Sequence, residues 1–155
     1  MAAIEEEIKS EFKNDYHKAF VNVLFTANWL SNLHSSALKP YKISTQQFNI
    51  LRILRGGKTW MAMTDVKGRM VEKSPNTTRL ADKLLNQKYL ERKRSSTDRR
   101  VVFVRISKKG LSLLTEIDAA WKLLKPDLLL DGITEKKVIK LSDYLDKLRN
   151  SKVPE

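Results

Sequence analysis

The spacing of apolar residues along the chain predicts a series of amphipathic helices. Over residues 4–38 apolar side chains recur every three or four positions, which predicts one long helix that ends before Pro40. A second helix is predicted in STQQFNILRILRGG, capped by Ser44 or Thr45 and stopped by its two glycines. A short third helix is predicted in MTDVKGRMV, with Met63, Val66 and Met70 on its inward side.

A fourth helix is predicted at about residues 74–87. Ser74 at the N-cap and Pro75 at the first helical position are a strong start pattern, and Leu80, Leu84 and Leu85 form the inward side. A polar outer face is usually just a solvated surface. Following a short helix and a turn, however, it indicates a helix-turn-helix whose second helix contacts phosphates and base edges. The candidate contact residues of this helix are Ser74, Asn76, Thr77, Thr78, Arg79 and Lys83.

Two β-prone segments follow, at residues 90–94 and 101–106, joined by a polar loop at residues 95–100. Together they predict a β-hairpin over about residues 90–106 with a strongly basic tip. Ser107 then caps a long helix whose apolar residues repeat much as in a coiled coil, with a kink expected at Pro126. Gly132 breaks this helix, and Thr134 caps a last helix that runs to about residue 149.

The striped helices at the two ends carry more apolar surface than one compact domain covers, which predicts packing on a second subunit. The predicted fold class is mainly α with a small β-hairpin wing, a winged helix-turn-helix core flanked by long dimerisation helices. The predicted division is an N-terminal dimerisation helix at 1–40, a DNA-binding domain at 41–107 and C-terminal dimerisation helices at 108–155.

Charge adds a partner to this picture. The 155-residue chain has a formal net charge of +12, and residues 69–109 hold 13 Lys and Arg against 4 Asp and Glu. Three quarters of the excess positive charge therefore lies in 41 residues. Solvated basic surfaces are common, but such a concentration in one segment favours a polyanionic partner.

Several classes of function lack their residues. There is no cysteine, which excludes disulfides, thiolate zinc sites and thiol nucleophiles. His17 and His34 fall on different helix faces, so they do not form a paired metal site. Neither a glycine-rich phosphate loop nor a nucleophile–base–acid set is recognisable. We therefore expect a non-enzyme without cofactors. It has no apolar run long enough for a membrane helix and no signal-peptide pattern, so we expect a cytoplasmic protein without membrane contact.

The segment TTRLADKLLNQKYLERKRSSTDRRVVFVRISKKG resembles the MarR family of bacterial transcription regulators. Its family-like parts are a T-R-L-x-D-K-L helix, then L-E-R, a D-x-R loop, a β-rich run and S-x-x-G opening the next helix. The order of elements agrees with the family over nearly the whole chain. In two respects the chain departs from the family: Lys88 stands where members usually have a helix-ending glycine, and the cysteine of the oxidation-sensing branch is absent.

The resemblance implies a homodimer built by the terminal helices. It also implies binding of pseudo-palindromic double-stranded DNA, with the fourth helix in the major groove and the hairpin as a wing in the minor groove. Family members are more often repressors, and many release DNA when a small aromatic effector binds. Two alternatives stay open at this point: a non-specific architectural DNA-binding protein and an RNA-binding winged helix.

Arg100 is the best candidate for insertion into the minor groove, whose negative potential favours a guanidinium. Asp98 either holds that guanidinium in place or is simply a turn residue, and both roles are compatible. The remaining candidates for wing contacts are Arg92, Arg94, Ser95, Ser96 and Arg99. Side chains that would suit the walls of an effector pocket are Trp29, Phe48, Trp60 and Met63, although each taken singly is more often a core residue.

Overall fold

The fold is mainly helical with one small antiparallel sheet, and the predicted fold class is confirmed. The computed structural model describes residues 3–72, 76–98, 100–121 and 129–151. Within them lie the helices α1 (Ile4–Ile8), α2 (Asp15–Leu38), α3 (Thr45–Gly57), α4 (Met63–Arg69), α5 (Thr77–Asn86), α6 (Lys108–Ala120) and α7 (Glu135–Asn150). The strands are β1 (Met61–Ala62), β2 (Leu90–Arg94) and β3 (Val102–Ile106).

The chain forms two compact units, Met1–Thr115 and Glu116–Glu155. The first unit contains the helix-turn-helix and the sheet. The proposed assignment of residues 1–40 and 108–155 to dimerisation stays a prediction.

The single N-terminal helix predicted over residues 4–38 is wrong, because the chain breaks between α1 and α2. Lys9 has a left-handed φ of 49°, which stops α1. Asn14 then caps α2, since its side chain accepts a hydrogen bond of 2.9 Å from the His17 backbone N–H. The apolar spacing continues through this break, so periodicity alone did not show it.

The start of α3 follows the predicted pattern. The Ser44 side chain accepts from the Gln47 backbone N–H, and the Gln47 side chain accepts from the Ser44 backbone N–H, which forms a capping box. Leu51 and Leu54 are fully buried, whereas Phe48 is half-buried. Helix α3 thereby presents a fixed polar N-terminal end and an apolar inner side.

The sheet has the strand order β1-β3-β2, and all its pairs are antiparallel. The predicted hairpin is confirmed, with Leu90 opposite Ile106 and Arg94 opposite Val102. The two-residue strand β1 was not predicted, because it is too short to show a periodic pattern. It pairs with β3 through Met61 and Val104, which ties the hairpin to the start of α4.

One core lies under the sheet and between the helices of the first unit. Its fully buried side chains include Leu38, Ile50, Leu51, Leu54, Val66, Leu84, Val104 and Leu114. Every element from α2 to α6 contributes to this set except the short strands β1 and β2, whose Met61 and Leu90 are buried slightly less completely. The core therefore fixes α5 and the hairpin to one scaffold.

At the start of α6 the predicted cap is present, since Ser107 Oγ accepts a 3.0 Å hydrogen bond from the Gly110 N–H. In the second unit Gly132 has φ +80°, and Thr134 stands at the predicted N-cap position of α7 but makes no side-chain hydrogen bond to the helix. The kink predicted at Pro126 lies outside the described residues. None of the residues of α7 is buried.

Candidate nucleic-acid interface

Helix α5 carries a polar stripe that faces solvent. Asn76 stands at its N-cap, and Thr78, Arg79 and Lys83 are exposed. Residues 76, 79 and 83 lie within about 60° of one another around the helix axis, since each residue advances about 100°. Ser74, the predicted cap, lies outside the described residues. Three of the predicted contact residues therefore share one accessible stripe.

The predicted position of Thr77 on that exposed stripe is wrong. Thr77 is only 1% exposed and lies on the inward side of α5, above Ala81 and Leu84. The spacing 77, 81, 84 is itself a helical stripe, and Thr77 is about 200° away from Arg79. The short β-branched threonine side chain packs against the core, where a larger apolar side chain is more usual. Because threonine carries a hydroxyl group, the sequence pattern indicated an exposed position instead.

The end of α5 is shaped by Lys88 in a left-handed conformation, with φ 63°. The Lys88 N–H donates to the Leu85 carbonyl at 2.8 Å, and the Tyr89 N–H donates to the Leu84 carbonyl at 2.9 Å. These two bonds form a Schellman motif, the usual glycine-type helix end. Lysine in place of glycine therefore does not change how this helix ends.

Ser107 connects the same helix end to α6. Its hydroxyl donates to the Lys88 carbonyl at 2.8 Å, and its backbone N–H donates to the Tyr89 carbonyl at 3.0 Å. Gly110 lies so close to the Tyr89 carbonyl that a Cβ at this position would collide with it. The S-x-x-G pattern is thus a structural requirement of the junction between α5, the hairpin and α6.

An ion pair joins α5 to the hairpin. Arg92 on β2 and Asp82 on α5 are 3.2 Å apart, and both side chains are about half exposed. Exposed pairs contribute little stability, about 0–1 kcal/mol, so this one adds a contact between two elements that the core already holds together. Across the sheet, Arg105 pairs with Glu91 at 2.6 Å. Arg92, predicted as a wing contact, is thus positioned by a carboxylate of α5.

The tip of the hairpin is a hydrogen-bonded turn. Ser95 Oγ accepts from the backbone N–H groups of Thr97 and Asp98, each at 3.2 Å. The Asp98 carboxylate accepts from the Arg100 backbone N–H at 2.9 Å, and the Asp98 carbonyl accepts from Val101 at 2.9 Å. This geometry supports the turn role of Asp98, because its contact is with the main chain at Arg100.

The positive side chains at the tip extend into solvent. Arg94 and Arg100 are exposed, as is Ser96, while Ser95 is half-buried within the turn. Arg99 lies outside the described residues. A fixed turn that presents arginines outward is suited to contact a polyanion at a defined place.

The turn that precedes α5 is held from α3, a feature that the sequence did not suggest. The Asn49 side chain accepts from the Val71 backbone N–H at 3.0 Å, and Gln46 donates to the Glu72 carboxylate at 3.0 Å. Such bonds between elements leave no periodic trace in the sequence. They join residues 71 and 72 to α3, one through the main chain and one through a side chain.

The four residues proposed as pocket walls lie on different elements. Trp29 is half exposed on α2, and Phe48 on α3 lies under the Arg52 guanidinium at 5.9 Å. Trp60 contacts two cations, Lys93 and Arg105, each 4.6 Å from the ring centre. Phe48 and Trp60 therefore lie against neighbouring cations, on α3 and on the sheet respectively.

A cavity of about 350 Å³ lies between α4, α5 and the hairpin. Its lining includes Met63, Thr78, Asp82, Arg92 and Arg100. Of the four predicted wall residues, Met63 lines it, and Trp29, Phe48 and Trp60 do not. The Arg92–Asp82 pair forms part of its wall.

The residues that the structure describes offer neither a metal site nor a membrane-spanning helix. They contain no group of three or more His, Asp or Glu side chains able to hold a metal ion. Within the same ranges no helix has the length and apolarity required to cross a membrane.

The sequence is similar to those of known transcriptional regulators. A family described as transcriptional regulator SarA/Rot matches residues 32–117, more than half of the chain. The HTH-type transcriptional regulator MhqR of Bacillus subtilis is 33% identical over 86 residues. That alignment covers 56% of this chain and 55% of MhqR, so it spans about half the length of this relative.

The fold also resembles solved structures. One is a mutant MarR from E. coli complexed with operator DNA, with a TM-score of 0.74 and 20% identity over 90% of this chain and 99% of that one. Another is NadR in complex with 4-hydroxyphenylacetate, with a TM-score of 0.67 and 20% identity over 92% of this chain and 99% of that one. At these identities the likeness is one of fold.

Proposed function

The chain belongs to the SarA/Rot family of transcriptional regulators, with the winged-helix fold of the MarR family, and from this premise we propose that it is a homodimeric repressor of a pseudo-palindromic operator. Family membership makes it a transcriptional regulator rather than an enzyme. The observation that carries the proposal is the exposed stripe of Asn76, Arg79 and Lys83, held on the same scaffold as the basic tip of the hairpin.

In this proposal α5 enters the major groove and the hairpin follows the adjacent minor groove. Asn and Arg side chains are suited to bidentate hydrogen bonds with base edges, and Lys83 is suited to phosphate. The shared core, with Leu84 of α5 and Val104 of β3 fully buried, holds the hairpin relative to α5, so that both elements can contact one DNA at a defined spacing. Thr77 is withdrawn from the set of base contacts because it is buried.

Dimerisation is supported by apolar faces that lack cover. On α2, Tyr16, Phe20 and Leu24 lie within about 80° of one another around the helix axis, and on α7, Leu141, Tyr144 and Leu148 lie within about 60°; each is at least 44% exposed. Trp29 and Ile139 are also exposed, but they lie on other sides of these two helices. Exposed apolar stripes at helical spacing mark interaction surfaces. A second copy of the chain is the proposed occupant, and two-fold symmetry would then produce two half-sites about one turn of DNA apart.

The proposal includes release of the DNA by a small aromatic effector. The solved NadR structure contains 4-hydroxyphenylacetate, and this chain has a 350 Å³ cavity beside α5 and the hairpin. A ligand in this cavity would contact Arg92 and Arg100, two of the side chains proposed to contact DNA, and would therefore compete with DNA for them. Titration of the protein–DNA complex with small aromatic acids should lower its anisotropy, whereas no release by any of them leaves regulation by effector without support.

The decisive test is selection of bound sequences from a random duplex pool by the purified protein. We expect enrichment of an inverted repeat whose half-sites are separated by about one helical turn. No enrichment at all would favour a non-specific architectural protein. Displacement of the enriched duplex by structured RNA at equal concentration would favour an RNA-binding winged helix instead.

A further inference from the structure

Val71 is the most exposed of the large apolar side chains in the described part of the chain, at 91%. It lies in the turn between α4 and α5, directly after the buried Met70. A single exposed apolar side chain is ordinary on a protein surface. This one, however, stands on the turn that leads into the helix proposed to enter the major groove.

Val71 and the residue after it are each hydrogen-bonded to α3. The Val71 backbone N–H donates to Asn49 Oδ1 at 3.0 Å, and the side chain of the next residue, Glu72, accepts from Gln46 Nε2 at 3.0 Å. Both partners belong to α3, whose N-terminus is itself held by a capping box. The main chain at Val71 is therefore held by α3 while its side chain stays exposed.

We propose that Val71 determines specificity by contacting the 5-methyl group of a thymine at the edge of each half-site. This inference rests on the proposed function. A valine side chain has no hydrogen-bonding group, so it gains nothing from phosphate oxygens or from the polar edges of bases. The apolar group that the major groove offers is the thymine methyl, and small apolar side chains read it by direct contact.

The test removes that methyl group without changing base pairing. In the selected duplex each thymine is replaced singly by uracil, and binding is measured by fluorescence anisotropy at constant salt. For the unaltered protein we expect one thymine in each half-site whose replacement weakens binding by roughly three- to tenfold, the amount expected for loss of one buried methyl. Uracil at the remaining positions should have little effect.

Val71→Ala supplies the second arm. It should bind the thymine duplex three- to tenfold more weakly and should lose the sensitivity to uracil, because the contact is already absent. Val71→Ile keeps branched methyl groups and should retain that sensitivity. Circular dichroism should be unchanged for both variants, since the side chain is exposed.

Two results would overturn the inference while leaving the proposed function intact. One is binding of the unaltered protein that no uracil replacement affects. The other is a Val71→Ala variant as sensitive to uracil as the unaltered protein, which would mean that a different residue contacts the thymine methyl. Failure of the selection to enrich any sequence would instead overturn the proposed function and this inference together.

Discussion

Lys88 stands where the family resemblance leads us to expect glycine, and its backbone conformation predicts which of two substitutions at this position is the more stable. Its φ of 63° lies in the left-handed region, which costs an L-residue about 1–2 kcal/mol. Glycine avoids that cost but loses about 0.5–1 kcal/mol more conformational entropy on folding. The net expectation is that Lys88→Gly is more stable than Lys88→Ala by about 0.5–1 kcal/mol.

The matched position is Lys83, which is exposed on α5 and helical. In a helix interior glycine is less favourable than alanine by about 0.8–1 kcal/mol, so the order of the two variants should invert. Urea unfolding at one fixed protein concentration measures all four variants, with alanine as the reference because it also removes the lysine charge. Glycine less stable than alanine at position 88 would show that Lys88 is not left-handed.

Three further predictions concern the hairpin and the exposed helix faces. Arg100→Lys keeps the positive charge but loses the planar guanidinium, so it should bind the selected site more weakly than the unaltered protein, and Arg100→Ala more weakly still. Anisotropy titrations at constant salt measure this. Equal binding by Arg100→Lys and the unaltered protein would indicate that only the charge at this position matters. Asp98→Asn keeps an oxygen that accepts from the Arg100 N–H and removes a negative charge. In the same titrations it should bind DNA more tightly than Asp98→Ala and at least as tightly as the unaltered protein. Binding weaker than that of the unaltered protein would mean that the carboxylate orients the Arg100 guanidinium. Sedimentation at micromolar concentration should give twice 17.9 kDa for the unaltered chain, and Leu148→Glu on the α7 stripe should shift it toward the monomer; a monomeric unaltered chain would refute the dimer.

Much of the first unit could be predicted because local chemistry determines it. The capping box at Ser44, the strands of the hairpin and the cap at Ser107 each depend on residues within a few positions of one another. Patterns of spacing and capping describe such features directly. The order of elements was therefore accessible without a structure.

The errors arose where local patterns are ambiguous. Apolar spacing runs on from α1 to α2, although the left-handed Lys9 and the Asn14 cap interrupt the helix. Thr77 looked like a surface residue because of its hydroxyl, although it faces the core at helical spacing from Ala81. Tertiary packing decides the position of Thr77, whereas the break before α2 depends on a local side-chain cap at Asn14 that apolar spacing does not detect.

Contacts between distant elements could not be predicted at all. The Arg92–Asp82 pair and the bonds from α3 to the turn at Val71 join residues 10 to 26 positions apart. Phe48 and Trp60, two of the aromatic residues proposed as pocket walls, contact cations on α3 and on the sheet instead, because topology sets which side chains meet.

Sequence-specific reading of DNA by the exposed stripe of α5 is the central claim, and Arg79→Ala tests it most directly. Affinities of the unaltered protein and of this variant are measured for the selected duplex and for a scrambled duplex of equal length and salt. Loss of a bidentate base contact should reduce the discrimination between the two duplexes by about 1–3 kcal/mol, while affinity for the scrambled duplex falls much less. Arg94→Ala, a proposed phosphate contact at the wing, should weaken both duplexes about equally. An Arg79→Ala variant that also weakens both duplexes equally would contradict the claim.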